Sequence, residues 1–412
     1  MREKRQLPLL LPALTRDSNQ YSRKVADAMS KRQVVVVIGL LVVAVAAVLL
    51  VAKPWRTRLP IGQGQVVRIG AILPLSGDAA SYGRSAREGI ALAIDQINRA
   101  GGVRGRRLEV IYEDDRGQAT SGVAAASKLC SVDRVPVIIG AIPSSVTLAI
   151  APVCERSRVI LMSPTSSAPK ISEAGDYIFR AAASDETEGT TIAKYAVDHG
   201  LGRAAVLYIN NDYGAGLKDV FVREVKRLGG EVVAVEAFAE TATDFRSQLA
   251  KIAEKKPSAI YLVGQTEAGR ALRQASDMGI NARFLSSVLF EDPKVIAVAG
   301  AAAEGVVYSS RWYAPERRDK VVSEFAGAYR AKCQREPDVF AAYSYDATEI
   351  VARAMASGGL TPDEIKAALY ATKGYQGVTG VITFDRNGDV QQPATLKTVK
   401  EGKFVFLDSG RE

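Results

Sequence analysis

From Val66 onward the chain alternates short apolar runs with amphipathic stretches of helical spacing. Val66–Leu73 is an apolar strand, and 82–100 carries its apolar residues on one helical face. A second strand over 107–112 ends in Glu113-Asp114-Asp115. A helix over about 118–130, a strand over 136–142, a helix over 145–155 and a strand over 159–162 follow. After Phe179-Arg180-Ala181 the rhythm restarts, with helices over 186–199, 214–228 and 245–255 alternating with strands over 204–209, 232–238 and 259–263. These strands are apolar on both faces, as parallel strands covered by helices on either side must be. The pattern therefore predicts two doubly wound parallel sheets. Helices at about 319–335, 344–356 and 361–372 and a hairpin turning at Asp385-Arg386-Asn387-Gly388-Asp389 complete the chain.

A different pattern precedes this body. Residues 34–52 (VVVVIGLLVVAVAAVLLVA) contain no charge and would span about 28 Å as a helix, close to a bilayer's hydrocarbon thickness. Arg23, Lys24, Lys31 and Arg32 stand before the run, and Lys53, Arg56 and Arg58 after it. The heavier positive flank is N-terminal, which places the amino end in the cytoplasm and the body outside. The long polar lead and the absence of a small-x-small exit at Leu50 favour a retained single-pass anchor over a cleaved signal. On this reading 1–33 is a basic cytoplasmic lead, 34–52 the transmembrane segment and 53–65 a linker.

Charge and composition narrow the function. The net charge of +9 is concentrated in residues 1–58, which hold eleven Lys and Arg against three Asp and Glu. The body beyond is close to neutral, so it carries no basic patch for nucleic acid. One His (His199) and three Cys (Cys130, Cys154, Cys333) leave no route to a multi-His metal centre or a zinc site with ordinary spacing. No nucleophile elbow, dinucleotide fingerprint or cofactor motif is present either. The chain is expected to bind rather than catalyse, without cofactor or metal.

In doubly wound sheets, ligands bind at the turns beyond the carboxyl ends of the strands. Here those turns are rich in hydroxyls: Pro74 to Gly83, Gly140 to Thr147 (GAIPSSVT) and Ser163 to Pro169 (SPTSSAP). In the second half the matching turn is Asn210 to Gly216 (NNDYGAG). Ser and Thr are ordinary helix caps. Three such turns at one sheet edge also form a rim that accepts a carboxylate.

The run LPLSGDAASYGRSAREGIALAIDQINRAGGVRGRRLEVIYEDD resembles the opening of the branched-chain amino-acid-binding proteins of ABC importers. VIIGAIPSSVTLAIAPV, ILMSPTSSAPKI and INNDYGAG are similar to later landmarks of that family, in the same order, and the likeness covers roughly residues 66–410. The resemblance implies the type I periplasmic-binding-protein fold, α/β, with two lobes joined by a three-stranded hinge that close on a ligand. Lobe 1 is then 66–182 with 312–376, and lobe 2 is 183–311 with 377–412.

Carried over by position, the resemblance places carboxylate and hydroxyl contacts on Ser144, Ser145, Ser166 and Ser167. It places aromatic walls on Tyr82, Tyr213 and Phe340, with Gln265 beside them. One position departs. Leucine-type binders hold the ligand ammonium with an acid after the strand that ends here in Ser286-Ser287, and this chain has Val288 there. Either Glu291 takes over that ammonium or the ligand carries none; an ammonium buried without a partner would be strongly unfavourable. The family's early disulfide has no counterpart, because Gly117 stands in place of its first Cys. A Cys130–Cys154 bridge is left open. The implied function is an extracytoplasmic receptor for an amino acid or related carboxylate, handing it to an ABC permease and ATPase at the cytoplasmic membrane. A ligand sensor reporting occupancy to a membrane partner is the alternative, weakened because no membrane span or signalling helix follows the body.

Overall fold

The computed structural model describes residues 66–310, 313 and 319–407. The run 34–52 lies outside the described residues; among the described residues no helix is long and apolar enough to cross a membrane. The first lobe is laid down as β1 (Val66–Leu73), α1 (Ala80–Arg99), β2 (Arg107–Asp114), α2 (Ala119–Ser131), β3 (Val137–Ile139), α3 (Ser144–Ser157), β4 (Ile160–Ser163) and β5 (Ile178–Arg180). Its five strands are parallel in the order β2-β1-β3-β4-β5.

Period-two burial builds this sheet from both faces. Ile69, Ala71 and Leu73 of β1, Val137 and Ile139 of β3, and Ile160 and Met162 of β4 enter one core, and Ile72, Ile138 and Leu161 between them enter the other. Strand β3 is shorter than the expected 136–142. The chain turns at Gly140, whose φ is +144° and where a Cβ would lie 2.2 Å from the Ile72 carbonyl oxygen.

The second lobe continues with α4 (Asp185–Asp198), β6 (Arg203–Ile209), α5 (Asp212–Arg227), β7 (Glu231–Phe238), α6 (Arg246–Glu254), β8 (Ala259–Val263), α7 (Thr266–Asp277), β9 (Arg283–Ser286), α8 (Pro293–Ala299) and β10 (Val307–Ser310). The chain then adds α9 (Lys320–Cys333), α10 (Val339–Ser357), α11 (Pro362–Tyr370), the small hairpin β11 (Tyr375–Gly377) and β12 (Gly380–Ile382), and finally β13 (Thr395–Lys400) and β14 (Lys403–Phe406). The second sheet runs β14-β13-β10-β9-β8-β6-β7; β13 is antiparallel to both of its neighbours, β10 and β14, and the other pairs are parallel. Helix starts follow their caps: Asn211, Asp338 and Thr361 each accept a first-turn N–H, and Thr361 forms a reciprocal box with Glu364. Helix α10 therefore begins at Val339, just after the Asp338 cap and five residues before the expected 344.

The boundary expected at 376/377 falls too early. Val378, Ile382, Phe384 and Val390 bury themselves in the core of the first lobe, and the chain joins the second sheet only at β13. Asp346 fixes the small hairpin by accepting the N–H groups of Val378 and Thr379 and the Thr379 hydroxyl. The turn at 385–389 also does more than reverse the chain. It docks on β5, where the Arg180 N–H donates to the Gly388 carbonyl and Ala183 pairs in parallel with Val390. Two of the crossings between lobes thus run side by side. The three cysteines are free thiols, so the bridge left open between Cys130 and Cys154 is absent.

The turn carries Asp389, whose Oδ1 accepts from Arg180 Nε at 2.6 Å; the two side chains are 0% and 6% exposed. Removing one partner of a buried pair strands the other charge. Asp389→Ala should lower folding stability by about 3–5 kcal/mol in denaturant titration. Asp198→Ala, which breaks the exposed Lys194–Asp198 pair, should change it by only about 0.3–0.5 kcal/mol.

Candidate functional site

The parallel strands of both sheets point their carboxyl ends at one cleft, and the turns beyond them form its walls. Asp114, at the end of β2, accepts the Leu75 N–H at 2.9 Å and the Ser76 hydroxyl at 2.6 Å, fixing the turn that leads into α1. Ser144 opens α3 and accepts the N–H groups of Ser167 and Ala168, each at 3.3 Å. This ties the turn after β3 to the turn after β4. Behind them the Arg180 guanidinium donates to the carbonyls of Ser167 and Ala168 at 2.9 Å and to the Ser172 hydroxyl at 2.7 Å.

These turns enclose one side of a cavity of about 310 Å³, at the small end of the range for ligand sites. Ser144, Ser145, Thr165 and Ser167 line it from the first lobe, together with Tyr82 and Phe340. The last two come from the first turns of α1 and α10, and their rings lie 4.4 Å apart at 34°. Burial, reinforced by Asp292, Glu267 and Asp338 nearby, holds the Tyr82 phenol well above its ordinary pKa, so it stays protonated and able to donate. First-turn N–H groups of α3 have no acceptor within the helix, which adds donors beside the serines.

The second lobe supplies the opposite wall. Tyr213 lines it from the start of α5 and donates its hydroxyl to Ser287 Oγ at 2.9 Å. Gln265 lines it from the turn before α7, its N–H bonded to Glu267 at 3.0 Å. Val288 and Leu289 present an apolar surface, and the Val288 N–H is held from behind by buried Glu188 at 2.9 Å.

Two expected site residues do not face this cavity. Ser166 is turned inward: its hydroxyl lies 2.7 Å from Thr147 Oγ1 and donates to the carbonyls of Ala141 and Ile142. It staples the wall rather than lining it. Glu291 is spoken for by the interior of its own lobe. One oxygen pairs with Lys397, whose side chain is only 2% exposed, and the other accepts from Ser310 at 2.6 Å. The alternative in which Glu291 takes over a ligand ammonium would strip Lys397 of that partner. The cavity is also lined by Asp78 and Asn211, which lie in the turns named from the sequence without being assigned a contact, and by Glu240, Glu267 and Lys294, which were not named from the sequence. Asn211 and Glu240 each lie two residues beyond adjacent strands and bond to each other at 2.6 Å, so the rule that pointed to the Asn211 turn extends to Glu240. Among the described residues, no three His, Cys, Asp or Glu side chains are grouped to hold a metal ion.

Comparison with known proteins agrees with this architecture. Residues 66–403 match the family model described as periplasmic binding protein. A "Leu/Ile/Val-binding protein homolog 1" of Brucella abortus is 30% identical over 350 residues, covering 83% of this chain and 93% of that protein. A leucine-binding protein of Thermotoga maritima superposes with a TM-score of 0.76 at 28% identity, over 83% of this chain and 97% of the other. A branched-chain amino acid transporter substrate-binding protein of Streptococcus pneumoniae, solved with isoleucine, gives 0.74 at 31% identity, over 82% and 98%.

If Glu291 serves the lobe's interior, Glu291→Gln should cost about 1–3 kcal/mol of folding stability by uncoupling buried Lys397. Thermal unfolding, compared with exposed Glu254→Gln as control, reads it.

Proposed function

Because the chain belongs to the periplasmic binding protein family, we propose that it is the solute receptor of an ABC importer and that its ligand is a small carboxylate lacking an α-ammonium. The observation that carries this reading is the asymmetry of the cleft. Hydroxyls and helix-start N–H groups gather on the first lobe at Ser144, Ser145, Thr165 and Ser167, where one carboxylate can collect several charge-assisted hydrogen bonds. Facing them on the second lobe is Val288, at the place where leucine-type binders hold the ammonium with an acid. The acids packed behind it, Glu188 and Glu291, spend oxygens on Val288, Ser309, Ser310 and Lys397. The two acids of this lobe that line the cavity are each engaged through one oxygen, Glu240 by Asn211 and Glu267 by the Gln265 N–H.

A ligand held from both sides is bound fully only when the lobes meet, so its differential affinity draws them together. The closed form would be the one offered to a permease and its ATPase. Membership of the family supports a body outside the cytoplasm; residues 34–52 are proposed to hold it at the membrane as a retained anchor. On that reading the full-length protein stays in the membrane pellet after alkaline carbonate extraction, and recovery of a chain beginning near Lys53 in the soluble fraction refutes it.

The ligand class is read by titration calorimetry of the full-length protein with leucine and its deaminated partner, 4-methylpentanoate. The deaminated acid should bind at least as well as the amino acid or within about tenfold of it, a gap of about 1.4 kcal/mol. Ser144→Ala and Ser167→Ala should each weaken it by roughly ten- to hundredfold, the loss of a hydrogen bond to a charged group, about 1.5–3 kcal/mol. Tight leucine binding with no binding of 4-methylpentanoate would overturn the reading.

A further inference from the structure

Beside the first cavity lies a second of about 560 Å³, and the two share Tyr82, Phe340, Val288 and Leu289 as a common wall. The second chamber is lined by residues from both lobes, so it forms part of the same cleft.

Five of its polar side chains, Ser85, Glu291, Asp292, Arg335 and Asp338, are already engaged. Asp338 accepts from the Ser85 hydroxyl at 2.5 Å and the Ala341 N–H at 2.9 Å, and Asp292 accepts the Lys294 N–H at 2.8 Å. Arg335 donates to Ser85 and Glu88, while Glu291 is paired with Lys397. Between them the chamber presents Leu289, Pro293, Tyr313, Pro337 and Phe404. Phe404 is backed edge-on by Tyr308 and Phe290, which gives that wall a rigid aromatic support. Away from Arg84 and Lys294 at its edge, a polar or charged group entering between these residues would meet donors and acceptors that have partners elsewhere, whereas an apolar group only has to displace water.

We propose that the second chamber takes the apolar tail of the ligand, so that the solute is an elongated monocarboxylate with its head on the serine rim and its chain running past Tyr82 and Phe340. This deepens the carboxylate reading above and rests on it. Two cations at the chamber's edge, Arg84 from the first lobe and Lys294 from the second, make a second anion at the tail end the competing occupant. They have no ion-pair partner among the described residues.

The test is a series of unbranched acids from butanoate to octanoate, with octanedioate as the doubly charged control, titrated into the full-length protein. Affinity should rise by up to about fourfold per methylene, the equivalent of about 0.8 kcal/mol, and octanedioate should bind more weakly than octanoate. Pro293→Trp and Arg84→Trp each add bulk at an exposed position that lines only the second chamber. Each should weaken octanoate by about tenfold and leave butanoate within about twofold. Measurable butanoate binding with no gain along the series would overturn the chamber while leaving the carboxylate reading intact. Tighter binding of octanedioate would replace the apolar tail with a second anion. Failure of every acid to bind would overturn the carboxylate reading and the chamber with it.

Discussion

The cleft depends on a guanidinium taken out of water. Arg180 lies at the end of β5 with no exposed surface, and such a burial is tolerable only if the charge is paired and its donors are used. Asp389 supplies the charge, and the carbonyls of Ser167 and Ala168 and the Ser172 hydroxyl take three of the other four N–H donors. Ser172 in turn donates to the second oxygen of Asp389 at 2.6 Å, which closes the network. The carbonyls so held belong to the turn whose N–H groups are bonded to Ser144, so the rim's shape is set from behind. Asp389 also ends the turn from which the chain returns to the second lobe. The same pair that shapes the rim therefore anchors a hinge crossing.

The two lobes divide the work by chemistry. The first concentrates hydroxyls and helix starts at one edge, while the second offers Val288 and Leu289, keeps Glu188 and Glu291 turned to its own backbone and to Lys397, and ties the wall acids Glu240 and Glu267 to Asn211 and the Gln265 N–H. An acid that braces the floor from below cannot also serve a ligand above without giving up a buried partner. Val288 is thus an apolar surface resting on a carboxylate, not a gap waiting for one. Tyr213 follows the same logic, since its hydroxyl is used by Ser287 and its ring is what remains to meet a ligand.

Much of the architecture was legible because it is local. Two-sided apolar strands such as IGAIL and VII, separated by helical stretches, admit little besides doubly wound parallel sheets, and the strands so read lie in two such sheets, although β10, β13 and β14 of the second were not foreseen. The helix Thr266–Asp277 and the hairpin Tyr375–Ile382 were passed over. The hairpin's strands are three residues each, too short for periodicity to register, and it is fixed by Asp346 on a distant helix. In the site, a run of like residues hid the decisive difference. Ser166 and Ser167 are neighbours of one type, yet one faces Thr147 inside the wall and the other faces the cavity. The pairs Arg180–Asp389 and Glu291–Lys397 join residues far apart in the chain, and no spacing rule connects them. Their meaning appears only when the lobes are assembled.

The central claim is that the first lobe holds a ligand carboxylate on the rim built over Arg180. The most direct measurement is a crystal structure of the protein with 4-methylpentanoate bound. The account predicts both carboxylate oxygens within hydrogen-bond distance of the Ser144 and Ser167 turns, with the carbon next to the carboxylate packed against Val288 and Glu291 still on Lys397. A carboxylate seated on the second lobe at Lys294, with the serine rim left to solvent, would contradict it.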